Sequence, residues 1–92
     1  MRRTERRLFQ LNDELTRLRR AAELTAGELE MHRHLDDDAR RDAVVSGAPL
    51  DRAEARQTAK DVRQLEVALE DLRRHIVRLD TKRARLLSGL EP

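Results

Sequence analysis

Apolar residues recur in steps of three and four through the second half of the chain. Val62, Leu65, Leu69, Leu72, Ile76, Leu79, Leu86 and Leu90 follow this spacing, with Arg83 as the one polar interruption. This is the a/d seam of a heptad helix, sustained over about four heptads. Traced backwards, the phase reaches Thr58 and Ala55, where it weakens. The first half carries a matching seam through Leu8, Leu11, Leu15, Leu18, Ala22, Thr25, Leu29 and His32. It continues in phase through Asp36, Ala39 and Ala43.

Between the two seams lies Ser46-Gly47-Ala48-Pro49-Leu50-Asp51. A glycine after a helix supplies the left-handed conformation that ends it, and a proline just beyond cannot continue it. Asp51, with Glu54 three residues on, fits an N-cap and its capping-box partner. The pattern therefore predicts helix 1 over about 4–45, a turn at 46–51 and helix 2 over about 52–87, with Ser88-Gly89 as a second stop. Asp36, Asp37 and Asp38 form a run that could cap a new short helix, which marks residues 35–38 as a candidate break. With so short a connection the helices must be antiparallel neighbours. Facing residue numbers should then total a constant. Leu11 with Leu86 and Leu18 with Leu79 give 97, Leu8 with Leu90 and Leu29 with Leu69 give 98, and the turn gives 97. The expected fold is all-α, an antiparallel two-helix coiled-coil hairpin of one domain over residues 1–92.

Packing should be uneven along it. Near the chain ends leucine faces leucine or isoleucine, whereas towards the turn His32, Asp36, Ala39 and Ala43 face Leu65, Val62, Thr58 and Ala55. A fully buried leucine contributes roughly 1.5–3 kcal/mol, so the turn half is expected to fray first. Further apolar residues fall off the seam: Leu24, Met31 and Leu35 on helix 1, and Val67, Val77 and Leu87 on helix 2. A two-helix hairpin has no interior for a second stripe, so another copy or a partner protein is the expected cover. Two hairpins side by side would make a four-helix bundle, a homodimer.

Composition adds the absence of a compact core and of most chemistry. Charged residues make up 41% of the 92, aromatics are limited to Phe9, and there is no cysteine. Disulfides and thiolate metal sites are thereby excluded. The basic N-terminus leads into no unbroken apolar stretch, so no membrane span is expected, and the cytoplasm is the default location. Arginine outnumbers lysine eighteen to two, the bias of a high-GC bacterial genome. Charge is distributed unevenly. Residues 1–20 and 72–92 each carry a net +4, residues 21–51 carry −5, and 52–71 carry −1.

The candidate chemistry is sparse. His32 and Asp36 are i,i+4, and His34 has Asp37 and Asp38 three and four residues on, a spacing that suits a divalent metal. The same spacing is that of ordinary helix ion pairs, and no second histidine or cysteine cluster completes a site, so no metal or other cofactor is expected. Asp36, Asp37 and Asp38 are instead a candidate acidic docking patch. Arg2, Arg3, Arg6 and Arg7 are a candidate basic one, suited to phosphate backbone or anionic head groups. No aromatic is interleaved for base stacking, and no recognition-helix or basic-zipper layout appears. Ser46 and Ser88 have no neighbouring histidine, and three glycines form no phosphate loop. No catalytic residues are expected.

In outline the chain resembles the bacterial transcript-cleavage factors and related regulators, which insert a coiled-coil hairpin with an acidic tip into a channel of RNA polymerase. The likeness rests on the hairpin and on Asp36, Asp37 and Asp38, and is one of shape. Those carboxylates lie well back from the turn, and the factors' globular anchoring domain is not among these 92 residues. In length and mid-chain turn it is also similar to the small secreted hairpins with a Trp-x-Gly turn, but Ser46-Gly47-Ala48 offers no tryptophan and the chain no tyrosine. The expected function is that of a non-enzymatic coiled-coil interaction protein, an adaptor or regulatory subunit that self-associates through Leu24, Met31 and Leu35. The alternative is a regulator docking on a nucleic-acid machine through its acidic or basic patch.

Overall fold

The computed structural model describes residues 2–90, and among these every residue except Arg2, Gly47 and Ala48 is helical. Two helices, α1 (Arg3–Ser46) and α2 (Pro49–Leu90), pack as an antiparallel hairpin. The positions that the heptad phase assigns to the seam are buried or half-buried from Leu8 to Ala43 and from Ala55 to Leu86. The expected facing of Leu8 and Leu90 involves a side chain outside the described residues. The cross-helix bonds scatter around the expected total of 97–98, and Asp36 bonds Thr58, one turn from the Val62 expected to face it. Cross-helix partners total 94 for Asp36–Thr58, 95 for Asn12–Arg83, 97 for Ser46–Asp51 and 99 for Arg19–Asp80.

The connection is shorter than the sequence pattern predicts. Only Gly47 and Ala48 lie between the helices. Gly47 adopts φ +63°, the left-handed conformation that ends α1, and its N–H still donates to the Ala43 carbonyl at 2.9 Å. Helix α2 then begins at Pro49 rather than Arg52. Proline suits a first helical position, where its missing N–H would have no intrahelical partner and its φ is already helical. The Ala48 carbonyl accepts the first bond of α2, from the Arg52 N–H at 3.0 Å, so Ala48 is the N-cap. Asp51 is therefore the third helical residue and not the cap. Its carboxylate sits near the positive end of α2 and accepts a hydrogen bond from the Ser46 hydroxyl. That hydroxyl in turn accepts from the Ala48 N–H at 3.1 Å. One serine thus clasps both helix ends.

Two further expectations are corrected. Ser88-Gly89 does not stop α2, which continues to Leu90, and Gly89 does not take a positive φ. Helix α1 also runs unbroken through residues 35–38. The aspartates there do not cap a new helix, because each finds a partner further along α1. Arg40 binds Asp36 and Asp37, and Arg41 binds Asp38. Such i,i+3 and i,i+4 pairs favour the helix they span.

The chain divides into two compact units. One comprises Met1–Glu23 with Glu70–Pro92, the other Leu24–Leu69. The first unit holds a leucine core in which Leu11 and Leu15 are wholly buried against Leu79, with Leu18, Ile76 and Leu86 packed around them. At roughly 1.5–3 kcal/mol for each fully buried leucine, this cluster dominates the unit's stability. Arg83, the polar interruption of the seam, is half-buried and hydrogen-bonded to Asn12 across the helices and to Asp80 along its own, each at 3.1 Å. Asp80 also accepts from Arg19 of α1 at 2.9 Å. The second unit is built from smaller side chains. Leu29, Leu69, Val62 and Ala39 are buried, and so is Asp36.

Candidate interaction surface

The residues that sequence reasoning singled out fall into three environments. Leu24, Met31 and Leu35 are exposed, by 64%, 63% and 50%. Spacings of seven and four place them along one stripe of α1, and their neighbours Leu29 and Asp36 occupy the seam. The heptad explains this division. Once Leu29 and Asp36 face α2, residues two after and one before a core position must face away. Val67, Val77 and Leu87 are also outward, as the phase requires.

The three aspartates do not form one patch. Asp36 is 7% exposed and turned into the seam, where it accepts a hydrogen bond from the Thr58 hydroxyl at 2.9 Å and pairs with the Arg40 guanidinium at 3.3 Å. It is withdrawn from any outside partner, which corrects its place in the acidic docking patch. The heptad phase put it in the seam, and Thr58 supplies the donor that makes the position tolerable. Asp37 and Asp38 do face outward. Asp37 is held by Arg40 at 2.6 Å and Asp38 by Arg41, so the local field is largely neutralised. His32 is half-buried at its seam position, and His34 is exposed. Among the described residues no group of three histidines and carboxylates converges as a metal site.

Arg2, Arg3, Arg6 and Arg7 are exposed, and none has a carboxylate partner among the described residues. Arg3, Arg6 and Arg7 border a shallow groove with Thr4, Gln10 and Leu86. The first unit carries thirteen basic against eight acidic residues, and the second seven against ten.

Sequence reasoning passed over a third apolar region. Val44, Val45 and Leu50, beside the turn, are 85%, 87% and 83% exposed, the most exposed large apolar side chains described. Val44 and Val45 border a groove with Asp37, Arg40 and Arg41. The signal was present in the phase, since a seam through Ala43 leaves both following valines outside it. Phe9 is likewise outward and lines an apolar groove with Leu8 and Leu87, beside Arg83.

No helix among the described residues is long and apolar enough to cross a membrane. No protein-family model, curated protein or solved structure significantly matches the chain.

Proposed function

We propose that this chain is a non-enzymatic adaptor or regulatory hairpin that works by helix-to-helix contact, and that its first partner is a second copy of itself. The observation that carries this reading is the exposed stripe of Leu24, Met31 and Leu35 beside a seam whose described positions are already occupied from within. Apolar side chains spaced along one helix face are what a partner helix buries. The described grooves are shallow and bordered mainly by arginines and aliphatic side chains, which supports binding over catalysis.

The test is solution mass by light scattering over a wide range of protein and salt concentrations. A mass that rises with concentration towards twice 10.7 kDa is expected. A strict monomer at the highest concentration removes self-association. Arg2, Arg3, Arg6 and Arg7, exposed and without carboxylate partners among the described residues, favour a second reading, docking on a nucleic-acid machine. The same preparation addresses it. With no tryptophan or tyrosine the protein barely absorbs near ultraviolet light, so co-purifying nucleic acid is conspicuous, and salt should strip it.

A further inference from the structure

Gly27 lies on the exposed stripe, three residues after Leu24 and four before Met31, so all three share one face of α1. It is helical, and its φ is not positive. A Cβ added there would meet nothing within 4 Å. Neither a turn, a left-handed conformation nor a close neighbour within the hairpin therefore calls for glycine, although a mid-helix glycine weakens a helix relative to alanine. What a bare backbone does offer is a depression between two apolar knobs, where another helix can approach closely, at an interaxial distance of about 8 Å.

The stripe is also complementary to itself. If a second α1 lies antiparallel across it, Leu24 of one copy meets Leu35 of the other, and Met31 of each seats over Gly27 of the other. The residue numbers total 59 for the first contact and 58 for the second, so one two-fold axis satisfies both. Charge gives the same direction. In this register residues 13–22 of one α1, with three basic against two acidic residues, lie along residues 36–46 of the other, with two against four. An antiparallel second copy sets unlike charge along like helices, whereas a parallel one sets like on like.

We infer that the hairpin dimerises through α1 in antiparallel register, with Gly27 as the crossing point that receives Met31 of the second copy. This rests on the self-association proposed above and adds the face, the direction and the fit. The natural chain has no cysteine, so single thiols report cleanly. Leu24→Cys and Leu35→Cys, both at exposed positions, are purified separately, mixed and treated with a short thiol-to-thiol cross-linker. The mixed product, one chain of each variant, should far exceed the roughly twofold excess over either self-product that indiscriminate pairing of equal amounts would give.

Gly27→Leu provides the second readout. It enlarges the exposed apolar stripe, so simple stickiness would tighten the dimer. A filled crossing point should instead weaken it about tenfold or more. A dimer whose mixed product does not exceed the twofold excess of indiscriminate pairing, or that Gly27→Leu tightens, overturns the antiparallel fit and leaves self-association standing. A hairpin that stays monomeric leaves the stripe to a different chain and overturns both.

Discussion

Asp36 occupies a seam position that a leucine would fill in an idealised heptad, and Asp36→Leu tests what the carboxylate contributes. The substitution removes the Thr58 hydrogen bond, but that hydroxyl is already within 3.1 Å of the Ala55 carbonyl and is not orphaned. The loss is therefore about 1 kcal/mol. Arg40 keeps Asp37, and its 3.3 Å pair with Asp36 is largely solvated on the arginine side, so that loss is at most several tenths of a kcal/mol. Against this, a leucine buried at the site contributes roughly 1.5–3 kcal/mol. The cost of holding a carboxylate away from water also disappears. Its neighbours Ala39 and Thr58 are small, which limits the cost of overpacking. The net expectation is a gain of about 1–2 kcal/mol, which for a chain of this length is a rise in melting temperature of roughly 5–15 °C. The assay is thermal unfolding followed by helical circular dichroism, at a concentration low enough to hold both proteins monomeric. A lower melting temperature for Asp36→Leu would mean that the polar contacts outweigh burial and would refute this reasoning.

Gly47→Ala and Gly27→Ala should move stability in opposite directions, although an added Cβ meets nothing at either position. At Gly47 the +63° φ makes alanine cost about 1–2 kcal/mol, while at Gly27 the helix should gain about 0.5–1 kcal/mol in the monomer, both read from urea unfolding. Native-state hydrogen exchange should find the amides of residues 39–43 and 55–58 opening at lower free energy than those of 11–18 and 76–79. The former are backed by alanine, threonine and aspartate and the latter by the Leu11–Leu15–Leu79 core. Uniform protection across the two sets would contradict the uneven packing.

The seam was legible because it depends on periodicity alone. Leu8 to Ala43 and Ala55 to Leu86 needed only a count of threes and fours to be placed inward, and the short turn then chose among the registers, a heptad apart, that two such seams allow. The helix ends were less legible because local signals compete there. Asp51 and Glu54 have the spacing of a capping box, but Pro49 has the backbone of a first helical residue, and the proline prevailed. Ser88-Gly89 reads as a stop, yet glycine also tolerates helical φ, and the helix continued. The candidate surface was legible where it follows the phase, as for Leu24, Met31 and Leu35, and Val44 and Val45 followed the same rule. What the sequence did not reveal was the partner of the buried carboxylate. Asp36 facing Thr58 depends on a rotamer that no spacing specifies, whereas Asp37 with Arg40 and Asp38 with Arg41 stand at the i,i+3 spacing of helix ion pairs and were in principle legible.

A seam of this kind does not itself decide that the chain forms a hairpin. Every cross-helix contact, from the Leu11–Leu15–Leu79 cluster to Asp36–Thr58, would form as well between α1 of one chain and α2 of another. The choice is made at residues 46–51. Gly47 takes a conformation that α1 cannot pass through, Pro49 lacks the N–H that a continued helix would use, and Ser46 ties Ala48 to Asp51. Closing so short a loop costs far less than bringing two chains together. The turn thus selects the hairpin, and the seam supplies the energy. This division constrains any dimer. Opening the turn to exchange helices would bury no new surface and would leave Leu24, Met31 and Leu35 in water. A dimer that keeps the turn must gain its stability from outward positions. Association through the α1 stripe therefore predicts that weakening the turn with Gly47→Ala leaves the cross-linking between positions 24 and 35 unchanged, whereas a dimer made by helix exchange would show no such cross-link and would grow more abundant.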